Sequence, residues 1–300
     1  ELLDYWGGLD DLKNGVIRVL HSLSFVDDPT RILRAIRFEQ RFGFKIEDRT
    51  MELLLEARPL LKQVSGDRLR HEINLILQEQ QLVEIFQHLD QLGLLQAIDP
   101  NFSFSKGTAS LLKLSLQTKP ADKWELPQNV GKVPLALLVH YCILFGNYAE
   151  EEISKICSRL KLPAILQKSI LQTHSLIEHL PHLADQKASH IYALLKEIPN
   201  YVLYAAHFFF YEQEKVLQII DQYLGEWSKI KLYTSGETLR ERGVPPGPIY
   251  KEILQQLTDA WLDGKVTSQT EEEELLEHIL KSQLAEEKNK RKGKSLPSIS

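Results

Sequence analysis

Cysteine is scarce in this chain, with only Cys142 and Cys157 in 300 residues, and neither is accompanied by a pair of histidines. That excludes a disulfide framework and a thiolate zinc site, and it fits free thiols buried in apolar helices and held in a reducing cytoplasm. Long hydrophobic runs are missing too, so no segment is expected to span a bilayer and no membrane partner is expected. Val, Ile and Thr alternate nowhere except at residues 15–21, GVIRVLH, which leaves room for one short strand and excludes a fold built on sheets. The histidines show no Glu-x-x-His or His-Asp spacing, which excludes a metal-dependent phosphohydrolase site. His71, His88 and His207 are accordingly read as packing or surface residues. No period suggests a solenoid. Excess positive charge is lacking as well: the net charge of -5 excludes a surface coated in nucleic acid but not a local groove that holds it. Finally, Glu1 is not an initiator and no leader precedes the first motif, so the sequence is expected to begin inside a longer protein with further domains upstream.

What is present is helix. With 43% apolar residues over 300 positions, the chain can build two or three packed units without covalent staples. Asp27 or Asp28 can cap a helix opened by Pro29 and closed by Gly43. Further helices are expected from Asp48 or Thr50 to Arg58, from Ser65-Gly66 to about residue 79, and over 82–92 with Gly93 as C-terminal cap. Others are expected at 107–118, 133–146, 150–160, 163–179, 188–197 and 212–227. The loop at 119–132, with two prolines and a glycine, is the expected boundary, and HFFFYE at 207–212 reads as core packing. Residues 234–264 read as a short helix, a Gly-Val-Pro-Pro-Gly-Pro turn and a long helix. A last acidic helix then gives way to a charged end, 286–300, expected to be disordered.

The stretch 27–38, DDPTRILRAIRF, carries the chemistry. With about 100 degrees per residue, Arg31, Arg34, Arg37 and Arg41 fall within about 120 degrees on one side, and Ile32, Leu33 and Ile36 fall on the other. Asp28 lies one turn before Arg31 on the same edge. A carboxylate only accepts hydrogen bonds and a guanidinium only donates them. Side by side they complement a base with an exocyclic amino group next to a ring nitrogen acceptor, as in adenine and cytosine. Uracil and guanine would point an oxygen at the carboxylate and be rejected. The other arginines suit the oxygens of a triphosphate. An amphipathic surface helix with a capping Asp fits the same spacing and stays open at this point.

DDPTRILRAIRFEQRFGF resembles the neck motif of class II tRNA nucleotidyltransferases and bacterial poly(A) polymerases. DYWGGLDDLKNGVIRVL at 4–20 is similar to the end of that family's nucleotidyltransferase head, matching at Asp4, Gly7, Gly8, Asp11, Leu12 and Arg18. GDRLRHEINLIL at 66–77 looks like the next family motif, and the segment from residue 234 resembles the tail that grips tRNA. Asp27 stands where Glu is frequent, and FEQRFGF is similar to forms with additional regulatory domains, including some that add only the terminal A. The resemblance implies an all-α, elongated neck, body and tail with a short remnant of an α/β head: head edge 1–22, neck 23–95, body 96–230, tail 231–285 and basic end 286–300.

By the same resemblance, Asp28 and Arg31 select the incoming base of ATP or CTP, and Arg34 and Arg37 contact the nucleotide. Arg68 and Glu72 brace the neck, while Arg41, Arg240, Arg242, Gly247 and Lys251 meet tRNA. The Mg²⁺ ions of the family's phosphoryl transfer require a Gly-Ser motif and paired aspartates, and neither precedes residue 27. Asp10-Asp11 is no substitute, because adjacent helical residues diverge by about 100 degrees. The chain by itself is therefore expected to bind and not to catalyse, with no catalytic or metal-ligating residue of its own. A poly(A) polymerase of the same family and a non-catalytic helical RNA-binding module are the alternatives.

Overall fold

A computed structural model describes residues 3–293, with side chains through residue 282. The protein is all-α, and it divides into two compact units, Glu1–Pro181 with Ile198–Glu214 and His182–Glu197 with Lys215–Ser300. This division is coarser than the five-part organisation expected from sequence.

The first unit opens with α1 (Gly8–Asn14), β1 (Val16–Ile17), α2 (Ser24–Asp27), α3 (Thr30–Phe42), β2 (Lys45–Ile46) and α4 (Asp48–Ala57). A 3₁₀ segment at Arg58–Gln63, containing Pro59, leads to α5 (Gly66–Ile76), α6 (Leu82–Gln91) and α7 (Leu94–Ile98). Pro29 stands at the start of α3, where its missing N–H costs nothing, and Gly43 ends it at φ 64°, a conformation that only glycine adopts without strain. The apolar stripe of α3 is buried completely, with Ile32, Leu33 and Ile36 each 0% exposed, and it packs on α5 and α6. The expected strand shrinks to the two residues of β1, which pair in parallel with β2, an element the sequence pattern did not announce.

Next come α8 (Lys106–Gln117), β3 (Asn129–Val130), β4 (Val133–Pro134), α9 (Leu135–Phe145), α10 (Glu150–Arg159) and α11 (Ala164–Leu183). α9 is buried along its whole length after its first two residues, as a helix apolar on every side must be. Its Cys142 and the Cys157 of α10 are free and buried, and burial pushes their thiols up to about 12 and about 11, where they are inert at neutral pH. The loop at 119–132, expected to separate domains, lies inside this unit: Trp124 is buried edge-on against Tyr204, with ring centroids 5.1 Å apart. Arg159 ties the unit together by donating to the carbonyls of Leu61, Lys62, Val64 and Ile98. A β-carbon at Gly66 would collide with the carbonyl oxygen of Arg159, so the start of α5 approaches α10 as only glycine permits.

α12 (Ala188–Leu195) belongs to the second unit, and α13 (Asn200–His207) returns to the first. α13 escapes pattern recognition because Val202, Leu203, Tyr204, Ala205 and Ala206 are buried consecutively, leaving no polar face to mark a period. Of the aromatic cluster that follows, Phe208 and Phe210 are core and Tyr211 is exposed. The second unit continues with α14 (Glu214–Gly225), α15 (Gly236–Glu241), α16 (Pro248–Leu262) and α17 (Gln269–Gly293). Leu239, Val244, Ile253, Leu257, Leu276 and Ile279 form its core. The helical backbone of α17 runs through 286–293, which the sequence placed in a disordered end, because no residue before Gly293 breaks it. Residues 294–300 lie outside the described residues.

Candidate nucleotide-binding site

The start of α3 brings Asp28 and Arg31 to one edge, and each is held by a third party instead of by the other. Oδ1 of Asp28 accepts from the Thr30 backbone N–H at 3.0 Å, from Thr30 Oγ1 at 2.7 Å and from Nη2 of Arg68 at 2.6 Å. Burial pushes the Asp28 carboxyl up, but these bonds outweigh it and hold the group below the usual carboxylate range. It is therefore an ionised acceptor at neutral pH. Nη1 of Arg31 donates to the carbonyl and the hydroxyl of Ser24, at 3.2 Å and 2.9 Å. Arg34 is exposed and makes no ion pair among the described residues.

Arg37 behaves differently from its neighbours on the wheel. It is 6% exposed, with Nη1 3.2 Å from Glu79 Oε1 and Nη2 3.6 Å from Glu72 Oε2, and its guanidinium lies over the Phe38 ring. Arg37, expected from sequence to contact the nucleotide, ties α3 to α5 and to the turn that follows it. Arg68 and Glu72, expected to brace the neck, do touch it, but through Asp28 and Arg37 respectively. Arg41 is half exposed and shares Glu79 at 3.3 Å. A further link that the spacing did not reveal joins Glu39 to Nδ1 of His88 at 2.7 Å. Burial raises the Glu39 carboxyl, yet the bonds from His88, Ile46 and Gln40 leave it lowered.

In the second unit the candidate RNA contacts are less alike than their charges suggest. Lys251 is exposed in the first turn of α16, after Gly247 and Pro248. Arg240 makes an exposed local pair with Glu237 at 3.1 Å, a contact of small energy. Arg242 clamps Glu273 and Glu277 at 3.1 and 2.6 Å, which fixes α15 against α17. Glu272, hidden in an acidic run and 1% exposed, receives the Tyr233 and Thr234 N–H groups and the Trp261 indole.

Near the start of the chain, Asp4 accepts from the backbone of Trp6, Gly8 and Leu9, while Asp11 pairs with Arg18 and Asp10 with Lys13. Among the described residues no group of three His, Cys, Asp or Glu is placed to hold a metal ion. No helix among the described residues is long and apolar enough to cross a membrane.

Comparison with known proteins points the same way. The family model described as "Probable RNA and SrmB- binding site of polymerase A" matches residues 43–105. The chain is similar to the A-adding tRNA nucleotidyltransferase of Geobacter sulfurreducens, with 31% identity over 282 residues, 90% of this chain and 32% of that protein. It thus spans about a third of that relative's length. Among solved structures, the Thermotoga maritima CCA-adding enzyme complexed with tRNA superposes with a TM-score of 0.69 at 33% identity, covering 93% of this chain and 67% of that one. A complex of a CCA-adding enzyme with ATP gives 0.72 at 33% identity, over 93% and 66%.

Proposed function

The chain belongs to the class II tRNA nucleotidyltransferase family, and from that membership we propose that the start of α3 is a protein template that reads the base of an incoming ATP or CTP, while the other helices bind tRNA. The observation that carries this reading is the separate anchoring of Asp28 and Arg31. An acceptor and a donor that would neutralise each other if paired are each fixed by another residue and left open to a ligand. Such an edge matches the amino group and ring nitrogen of adenine or cytosine. Arg34, exposed and without an ion pair among the described residues, serves as the triphosphate contact, whereas Arg37 positions α3 from within the core. Lys251 and the start of α16, with Gly247, meet the RNA backbone by charge and shape, without reading sequence. Arg41 and Arg240 add exposed positive charge, and Arg242 acts on RNA through the packing of α15 on α17.

In the whole protein the reaction is attack of a tRNA 3′-hydroxyl on the α-phosphate of ATP, CTP or both, with release of pyrophosphate. The test is nucleotide and tRNA binding by Asp28→Ala and Arg31→Ala. Loss of ATP or CTP binding with tRNA affinity and helicity intact supports the template, and unchanged nucleotide binding sinks it. A second reading, poly(A) synthesis, draws on the matched family model, whose description names polymerase A. Equal affinity for tRNA and for unstructured RNA would favour that alternative.

A further inference from the structure

We propose that Ser24 is a positioning residue that sets base discrimination by fastening the two selectors to one point, an inference that rests on Asp28 and Arg31 being the base contacts. Ser24 begins α2 and is 7% exposed. Its carbonyl accepts both the backbone N–H of Asp28 at 3.3 Å and Nη1 of Arg31 at 3.2 Å, and its hydroxyl accepts the same Nη1 at 2.9 Å. One buried residue thereby fixes the backbone that carries the carboxylate and the head of the guanidinium that stands beside it.

The consequence is a choice of atoms. Nη1 is consumed by Ser24, whereas Nε and Nη2 of Arg31 have no partner among the described residues. On the other side, all three donors to Asp28 converge on Oδ1, and Oδ2 receives none among the described residues. The edge left for a base therefore consists of one acceptor, Oδ2, and the free donors of Arg31. Removing the Ser24 hydroxyl leaves Nη1 on a single carbonyl bond, and a long, rotamer-rich side chain held by one bond turns more freely. Loosened donors still attract a triphosphate by charge. They no longer penalise a base that offers an oxygen where an amino group belongs, since that penalty depends on fixed partners.

The experiment uses the whole protein with Ser24→Ala, Ser24→Cys and Ser24→Thr, beside Asp28→Ala and Arg31→Ala. Calorimetric affinities for ATP, GTP, CTP and UTP are measured together with the melting temperature. Ser24→Ala is expected to lower the preference for ATP over GTP, or for CTP over UTP, roughly tenfold, the value of one hydrogen bond to a charged group. Ser24→Cys, nearly equal in volume and a weak acceptor, follows it, and Ser24→Thr keeps the preference. A preference unchanged in Ser24→Ala and Ser24→Cys but lost in Asp28→Ala and Arg31→Ala overturns the role of Ser24 and leaves the template reading standing. Equal weakening for all four nucleotides overturns it as well, because a merely structural role acts that way. A preference that survives Asp28→Ala and Arg31→Ala overturns the template reading and this inference together.

Discussion

Replacing Arg37 by methionine strands a buried carboxylate. The Arg37 and Glu72 side chains are 7% and 9% exposed, and among the described residues Glu72 has no other cation to turn to. Glu79 is better placed, because Arg41 remains 3.3 Å away on the half-exposed side. Breaking one partner of a buried pair costs about 3–5 kcal/mol, whereas exchanging both partners for apolar groups of similar volume is near neutral. Arg37→Met should therefore destabilise the protein by about 3–5 kcal/mol, and adding Glu72→Leu should recover most of that loss. Urea unfolding reads this as a lowered midpoint with an unchanged slope, restored in the double variant. An Arg37→Met protein of wild-type stability that has lost affinity for ATP would refute the reasoning. It would return Arg37 to the nucleotide side.

Three further outcomes are expected in the second unit. Burial pushes the Glu272 carboxyl up, but the bonds from Thr234, Trp261 and Tyr233 outweigh it, so its folded pKa lies below the ordinary value of 4.5. The stabilisation it provides is complete above about pH 4.5 and is lost as the pH falls through the lower folded value, so Glu272→Gln should flatten the acid side of a stability-versus-pH curve. An acid limb identical to wild type would contradict this. Lys251→Ala should weaken tRNA binding and reduce the salt-dependence slope by about one without moving the melting temperature. Arg242→Ala should lower the melting temperature first, since it removes the clamp on Glu273 and Glu277. The reverse pattern would exchange their roles.

Much of this architecture is legible in residues 27–43, where Pro29 and Gly43 fix both ends of α3 and the wheel separates Ile32, Leu33 and Ile36 from the arginines. The same wheel does not show that Arg37 is buried, because a wheel gives direction and not what lies in that direction. Glu72 and Glu79, 35 and 42 residues away in sequence, supply the partners. Partners from distant segments also explain why Arg159 reads only as the basic end of α10 until the carbonyls of residues 61–98 are folded against it. Glu272 is likewise one of four consecutive glutamates, and only burial tells it from the others. Ser24 carries no pattern at all. Its role arises from where α2 meets α3.

The most direct measurement is a crystal structure of the protein with ATP or CTP bound. The exocyclic amino group is expected within about 3 Å of Oδ2 of Asp28 and a ring nitrogen within the same distance of Arg31. A base stacked elsewhere, with Asp28 and Arg31 still held only by Arg68, Thr30 and Ser24, would contradict it.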